Sequence, residues 1–405
     1  MQKISISRDE GLYQAFADIA TAADGTLVCT YRESLCHGPI PFSRVVVRRS
    51  RDGGRRWGPA QLVVERTREQ TQAGLGRLNC PRLLASADGT LALVVDLQFK
   101  SELEPHSAMN LLFRSRDQGA TWEGPQETGI TDGIVPSLKE LADGAWLLGV
   151  TRMRSADGQL SGLVEQQTVY RSEDQGRSWA GPFAVPLPEI ATATGRNWRL
   201  NEGDFAQLDD GTVIVYMRED GEGLSAWKSR SSDGGRTWSA PFRTQMMSCR
   251  GRPSVGRLRS GEIVVTYRFC SGLSTSLGLY VETPQEAARF SPLDPNQYKT
   301  QYAQARFAFL DNDRALAPDS GYSGWVQLPG GELYVVNYLT DDAPRAQIRG
   351  YVVGREDWFL FPEGAIGWYH AADEGAYIDR ALELSAAQQA WVRQQDWRRR
   401  VPTQK

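Results

Sequence analysis

The sequence is poor in the residues that ligate metals or form cross-links, with three histidines and five cysteines in 405 residues. Cys29, Cys36, Cys80, Cys249 and Cys270 are odd in number and scattered. They lack the close pairs of a zinc site or a disulfide framework, so they read as free thiols, and no metal or cofactor is expected. Long apolar runs are also missing. No stretch reaches the roughly 20 residues that cross a bilayer, and the segment from Met1 to Glu10 has no apolar core of signal-peptide length. A cytoplasmic protein without a membrane partner is the expectation. Neither charge sign is in excess: 46 basic against 49 acidic residues leave a formal charge of -3, which removes any broad attraction for nucleic acid. What remains is 40% hydrophobic and 10% aromatic, enough to bury a sizeable core and to exclude a disordered chain.

Against this background one octet recurs four times, Ser-x-Asp-x-Gly-x-x-Trp, in Ser50–Trp57, Ser115–Trp122, Ser172–Trp179 and Ser231–Trp238. Each copy follows an arginine (Arg49, Arg114, Arg171, Arg230) and a β-rich run such as Val45-Val46-Val47. The chemistry is that of a hairpin corner. The aspartate accepts hydrogen bonds from backbone N–H groups, the glycine permits a positive φ, and the tryptophan covers the turn with apolar area. Four copies spaced 57 to 65 residues apart make a repeat architecture. The octet resembles the Asp box of sialidases, which implies a structural staple on the outer edge of propeller blades.

A second repeat counts the blades. Six tight turns, Asp24-Gly25, Asp88-Gly89, Asp143-Gly144, Asp210-Gly211, Ser260-Gly261 and Gly330-Gly331, are each followed by an apolar run such as Leu91-Ala92-Leu93-Val94-Val95. Six turns predict an all-β, six-bladed β-propeller over residues 1–370, closed into a ring that leaves only short strand edges. Beyond this the pattern changes. Ser385 with Gln388 forms a capping-box signature, and Leu384, Ala387 and Trp391 share one helical face, predicting a helical extension over residues 371–405 that packs on the propeller.

In a propeller the start of each inner strand faces the axis, so the segments ahead of the six turns nominate the site: Asp18, Asn79 and Arg82, Pro136 and Ser137, Glu202 and Asp204, Arg250 and Arg252, and Tyr322. Two of these segments carry the resemblance further. Asn201-Glu202 ahead of Asp210-Gly211, with Arg218 after it, is similar to the sialidase stretch whose glutamate partners a nucleophilic tyrosine and whose arginine clamps the substrate carboxylate. Gly321-Tyr322-Ser323 resembles the segment bearing that tyrosine. A phenol near pKa 10 needs a neighbouring base at neutral pH, so Tyr322 and Glu202 make chemical sense only as a pair. A tyrosine also keeps a carboxylate away from an anionic substrate, and sialidases depart from the two-carboxylate glycosidase scheme.

Two departures limit what the resemblance implies. The aromatic-Arg-Ile-Pro motif of sialidases is replaced by Tyr13-Gln14-Ala15-Phe16, without its arginine. The loop where the acid/base aspartate is expected reads Tyr31-Arg32-Glu33-Ser34-Leu35-Cys36-His37-Gly38. Histidine titrates near neutrality as a residue type, so His37 is the candidate acid, with Asp18 as the alternative. Arg218, Arg252, Arg268 and Arg32 are the candidate carboxylate ligands, with Asp204, Arg82 and Asn79 beside them. The expected function is a glycoside hydrolase related to exo-sialidases that removes a terminal acidic or modified sugar from a small glycan. The alternatives are a lyase acting on uronic acids, with tyrosine and histidine as base and acid, and a non-catalytic glycan-binding propeller. A monomer and a homo-oligomer are both compatible with the sequence.

Overall fold

The structure, a computed structural model, describes residues 1–38, 41–99, 108–131, 133–155, 163–188, 199–220, 225–271, 274–290 and 306–358. The helix expected over residues 371–405 lies outside the described residues. Antiparallel strands form six blades, beginning with Tyr13–Thr21, Leu27–Ser34, Ser43–Ser50 and Gln61–Arg66 in the first. The innermost strands of blades two to six are Arg82–Ala85 (with the short piece Arg77–Leu78 ahead of it), Gly133–Glu140, Arg199–Gln207, Ser254–Arg257 and Gly321–Gln327. The inner strand of each blade neighbours that of the next, and the sixth returns to the first, so the ring is closed. Closure is made by the N-terminus. Gln2–Ser7 is the outer strand of the sixth blade and pairs with Gln347–Val353, joining the two ends of the ring in one sheet.

The second strands are buried on both faces, which is why they read as unbroken apolar runs rather than alternating ones. In Trp146–Ser155, Leu147 packs toward the fourth blade with Phe205 and Trp238, whereas Leu148 packs toward the second with Val94 and Leu112. Each of the six seams between blades holds one such cluster.

The two repeats occupy equivalent places. All six predicted turns join the first strand of a blade to its second, with Gly25, Gly89, Gly144, Gly211, Gly261 and Gly331 at φ between 82° and 102°. All four octets join the third strand to the fourth. The serine Oγ accepts from the glycine N–H at 2.7–2.9 Å, and Asp Oδ1 accepts from the N–H four residues on at 2.8–2.9 Å. Ser172 is buried and also donates to Asp174 at 2.7 Å, so Ser172→Ala strands a buried N–H group. We expect that substitution to lower stability by about 1–2 kcal/mol in urea unfolding.

Candidate active site

Four inner strands carry the same irregularity. Their register slips between Ala15 and Asp18, Ile134 and Ser137, Asn201 and Asp204, and Gly321 and Gly324. Within each slip one non-glycine residue has left-handed backbone: Phe16 (φ 61°), Val135 (51°), Glu202 (50°) and Tyr322 (50°). Such a conformation costs about 1–3 kcal/mol and persists only where the surrounding structure imposes it. Here it turns one side chain per blade toward the axis, and two of the four are Glu202 and Tyr322.

Their side chains meet. Tyr322 Oη donates to Glu202 Oε1 at 2.5 Å, and Arg218 Nη1 donates to the same oxygen at 2.9 Å. Arg218 Nη2 is held by Asp220 Oδ1 at 2.9 Å, so the guanidinium is fixed from both sides. Burial pushes the Tyr322 phenol well above its ordinary range, the Glu202 charge pushes it the same way, and Arg218 and Arg268 pull against them. A phenol so placed stays protonated at neutral pH, with Glu202 as the acceptor of its hydrogen bond. Burial alone would weaken the Arg218 cation, but Glu202, Tyr322 and Asp220 hold its pKa well above the usual arginine range.

The neighbouring second strands supply a matched set of arginines. Arg32 stands opposite Ala15 and Arg218 opposite Asn201, while the Arg268 carbonyl accepts from Arg250 N, so the three share one position in blades one, four and five. Arg32 stacks 4.4 Å from the Phe16 ring and donates to Asn79 Oδ1 at 3.0 Å. Arg268 donates to the Ser320 carbonyl and, at 2.7 Å, to Tyr338 Oη. Arg252 is fully buried, its guanidinium 5.2 Å from the centroid of the Tyr322 ring and without a hydrogen-bond partner among the described residues. His37 is half-exposed at the edge of this group. Its ring meets Phe16 edge-on at 5.5 Å, and Phe16 lies 5.0 Å from Tyr322.

A family profile described as BNR repeat-like domain matches residues 25–335. The chain belongs to this family. As a BNR repeat-like protein it shares the fold of the sialidase superfamily. Among solved structures, a protein of unknown function from Dyadobacter fermentans superposes with a TM-score of 0.68 at 21% identity, covering 87% of this chain and 97% of that one. A Hadza microbial sialidase gives 0.61 at 15% identity over 88% and 69%, and the intramolecular trans-sialidase from Ruminococcus gnavus gives 0.59 at 12% over 86% and 96%. No curated protein matches the sequence.

Three of the residues nominated for the site of this BNR repeat-like chain are bonded to one another. Asp18, proposed as an alternative acid, has both oxygens occupied, by Arg82 Nη1 at 3.1 Å and by Leu83 N at 2.8 Å. Arg82 reaches on to Asp204 Oδ2 at 2.9 Å, which also accepts from Val255 N at 2.7 Å. All three are buried and form an ion network across the axis. The sequence pattern could not separate them from Glu202 and Tyr322, because two residues along a strand changes depth and not face.

One residue was missed. Asp319, three positions ahead of Tyr322, accepts from His37 Nδ1 at 2.8 Å, from Tyr13 Oη, and from Tyr338 Oη at 3.0 Å. Burial would raise its carboxyl, but the hydrogen bond and charge of His37, with Arg268 and Tyr13, bring it down to about 2. A carboxyl depressed on folding contributes stability that is complete above the unfolded pKa of about 4 and lost as pH falls through about 2. Asp319→Asn is therefore expected to flatten the fall in unfolding midpoint across that window, as read by acid titration of thermal melts. Among the described residues, no group of three or more His, Cys, Asp or Glu side chains is placed to hold a metal, no disulfide is formed, and no helix is long and apolar enough to cross a membrane.

Proposed function

We propose that this protein is a glycoside hydrolase, related to exo-sialidases, that removes a terminal anionic sugar from a glycan. The observation that carries the reading is the 2.5 Å contact between Tyr322 Oη and Glu202 Oε1, with Arg218 on the same carboxylate oxygen. Tyr322 attacks the anomeric carbon, its proton passes to Glu202, and an aryl glycosidic bond from the Tyr322 oxygen replaces the bond to the leaving oxygen, which departs protonated. A neutral nucleophile suits an anionic sugar, and Arg32, Arg218 and Arg268 place cationic charge around it. Arg32 is buried, and among the described residues its Nε has no hydrogen-bond partner.

The test is a panel of aryl glycosides of sialic, uronic and neutral sugars, together with a uronic acid oligomer. Release of aryl alcohol from an acidic glycoside, and not from neutral ones, supports the reading. An ultraviolet-absorbing unsaturated product from the oligomer would instead indicate elimination. Binding of acidic sugars without turnover would leave a glycan-binding propeller.

A further inference from the structure

We infer that His37 and Asp319 form the proton-transfer unit of this site, with Nε2 of His37 as the atom that gives and takes the proton and Asp319 as its positioning residue. The inference rests on the hydrolase reading above. Its starting point is chemical: a sugar's leaving oxygen needs a proton on the side of the ring away from Tyr322, and Asp18 is committed to Arg82 within the core.

The geometry supplies a replacement. Asp319 Oδ2 and Tyr13 Oη each lie 2.8 Å from His37 Nδ1, and Tyr13 Oη gives its one proton to Asp319, so facing two acceptors Nδ1 is assigned the proton and Nε2 is the free position. Nε2 makes no hydrogen bond among the described residues, and the side chain is 56% exposed. Asp319 is in turn held by Tyr338 Oη at 3.0 Å and by Tyr13 Oη, with Arg268 Nη2 at 3.7 Å. Its own N–H donates to Asp313, which also accepts from Thr340 N and Asp341 N, so the loop carrying it is pinned to the sixth blade. The other charged groups at His37 are cationic and point elsewhere. Arg32 donates to the His37 carbonyl at 3.3 Å, and Arg345 donates to the Leu35 carbonyl. Phe16 packs against both the imidazole, at 5.5 Å, and the Tyr322 ring, at 5.0 Å.

The steps balance. In the first, Tyr322 Oη bonds to the anomeric carbon and gives its proton to Glu202, while imidazolium Nε2 protonates the departing glycosidic oxygen. In the second, water attacks the anomeric carbon and gives one proton to neutral Nε2, and Glu202 returns its proton to the departing phenolate. One water is consumed and both groups are restored.

The experiment compares wild type, His37→Gln, Asp319→Asn and Tyr322→Phe on acidic-sugar glycosides with a nitrophenyl or an alkyl leaving group. For His37→Gln, kcat/KM on the alkyl glycoside should fall at least about a hundredfold, and by a factor at least about ten smaller on the nitrophenyl glycoside, whose oxygen needs little protonation. Added azide, which attacks without a base, should raise the kcat of His37→Gln on the nitrophenyl glycoside. Asp319→Asn should show the same leaving-group dependence at about a tenth of the size. Independently of turnover, the ¹⁵N spectrum of wild type should place the proton of the neutral His37 ring on Nδ1, and Asp319→Asn should move it toward Nε2. Equal losses on both leaving groups, or a neutral ring protonated on Nε2 in wild type, would overturn the pair. If Tyr322→Phe is then inactive on both glycosides, the hydrolase reading stands without it. If wild type cleaves no glycoside, both fail.

Discussion

Replacing Tyr322 by phenylalanine is expected to lower turnover of an acidic glycoside by at least about a thousandfold, because the atom that would bond to the sugar is removed and the adjacent Glu202 carboxylate is held by Arg218. The fold should survive. Glu202 keeps Arg218 at 2.9 Å, so its carboxylate is not left unpaired, and phenylalanine retains the packing against Phe16 at 5.0 Å. A loss of about 1 kcal/mol is expected for the missing hydrogen bond. The same variant should still bind the sugar, since the arginines are untouched, and calorimetry with the free acidic sugar checks this. A variant that keeps most of its activity would remove Tyr322 from the chemistry.

The second large effect is on stability. Arg82→Leu removes the guanidinium that lies between Asp18 and Asp204, leaving two buried carboxylates with backbone N–H groups and, for Asp204, Lys139 at 3.4 Å. Breaking a buried pair in this way costs about 3–5 kcal/mol, a large part of the 5–15 kcal/mol by which domains are stable. Urea unfolding should show the loss, and Asp18→Asn with Asp204→Asn in the same chain should recover part of it, since the uncompensated charge is then gone. A stable Arg82→Leu protein that only binds sugar more weakly would return Arg82 to the substrate.

The fold was legible because its two signals are local and repeated. A turn of Asp24-Gly25 type needs a glycine at positive φ, and an octet such as Ser172–Trp179 satisfies its own backbone, so both leave fixed letters in the sequence. Closure by Gln2–Ser7 left no such mark, since pairing residues 2 and 352 is a property of the closed ring.

The site was legible in part, for the same reason. Glu202 and Tyr322 sit within strands whose place is set by the turn that follows. Asp319 sits in a loop held by Asp313, where neither strand period nor turn chemistry assigns a direction. Arg32 is a candidate ligand by residue type, within the segment Tyr31–Gly38. The structure brings it over Phe16, opposite Ala15, which no reading of the first strand alone could give. Asp18 and Asp204 are a different case: both pair with Arg82, a contact between blades that no single strand announces.

The most direct test of the account is capture of the covalent intermediate. Wild-type protein is incubated with a fluorinated acidic glycosyl fluoride, which forms the glycosyl–enzyme bond readily and hydrolyses slowly, and is then digested and mapped by mass spectrometry. The account predicts one added glycosyl group on the peptide containing Tyr322, fragmented to the phenol oxygen, and none in Tyr322→Phe. Turnover of acidic glycosides with the label on another side chain, or with equal labelling of Tyr322→Phe, would contradict it.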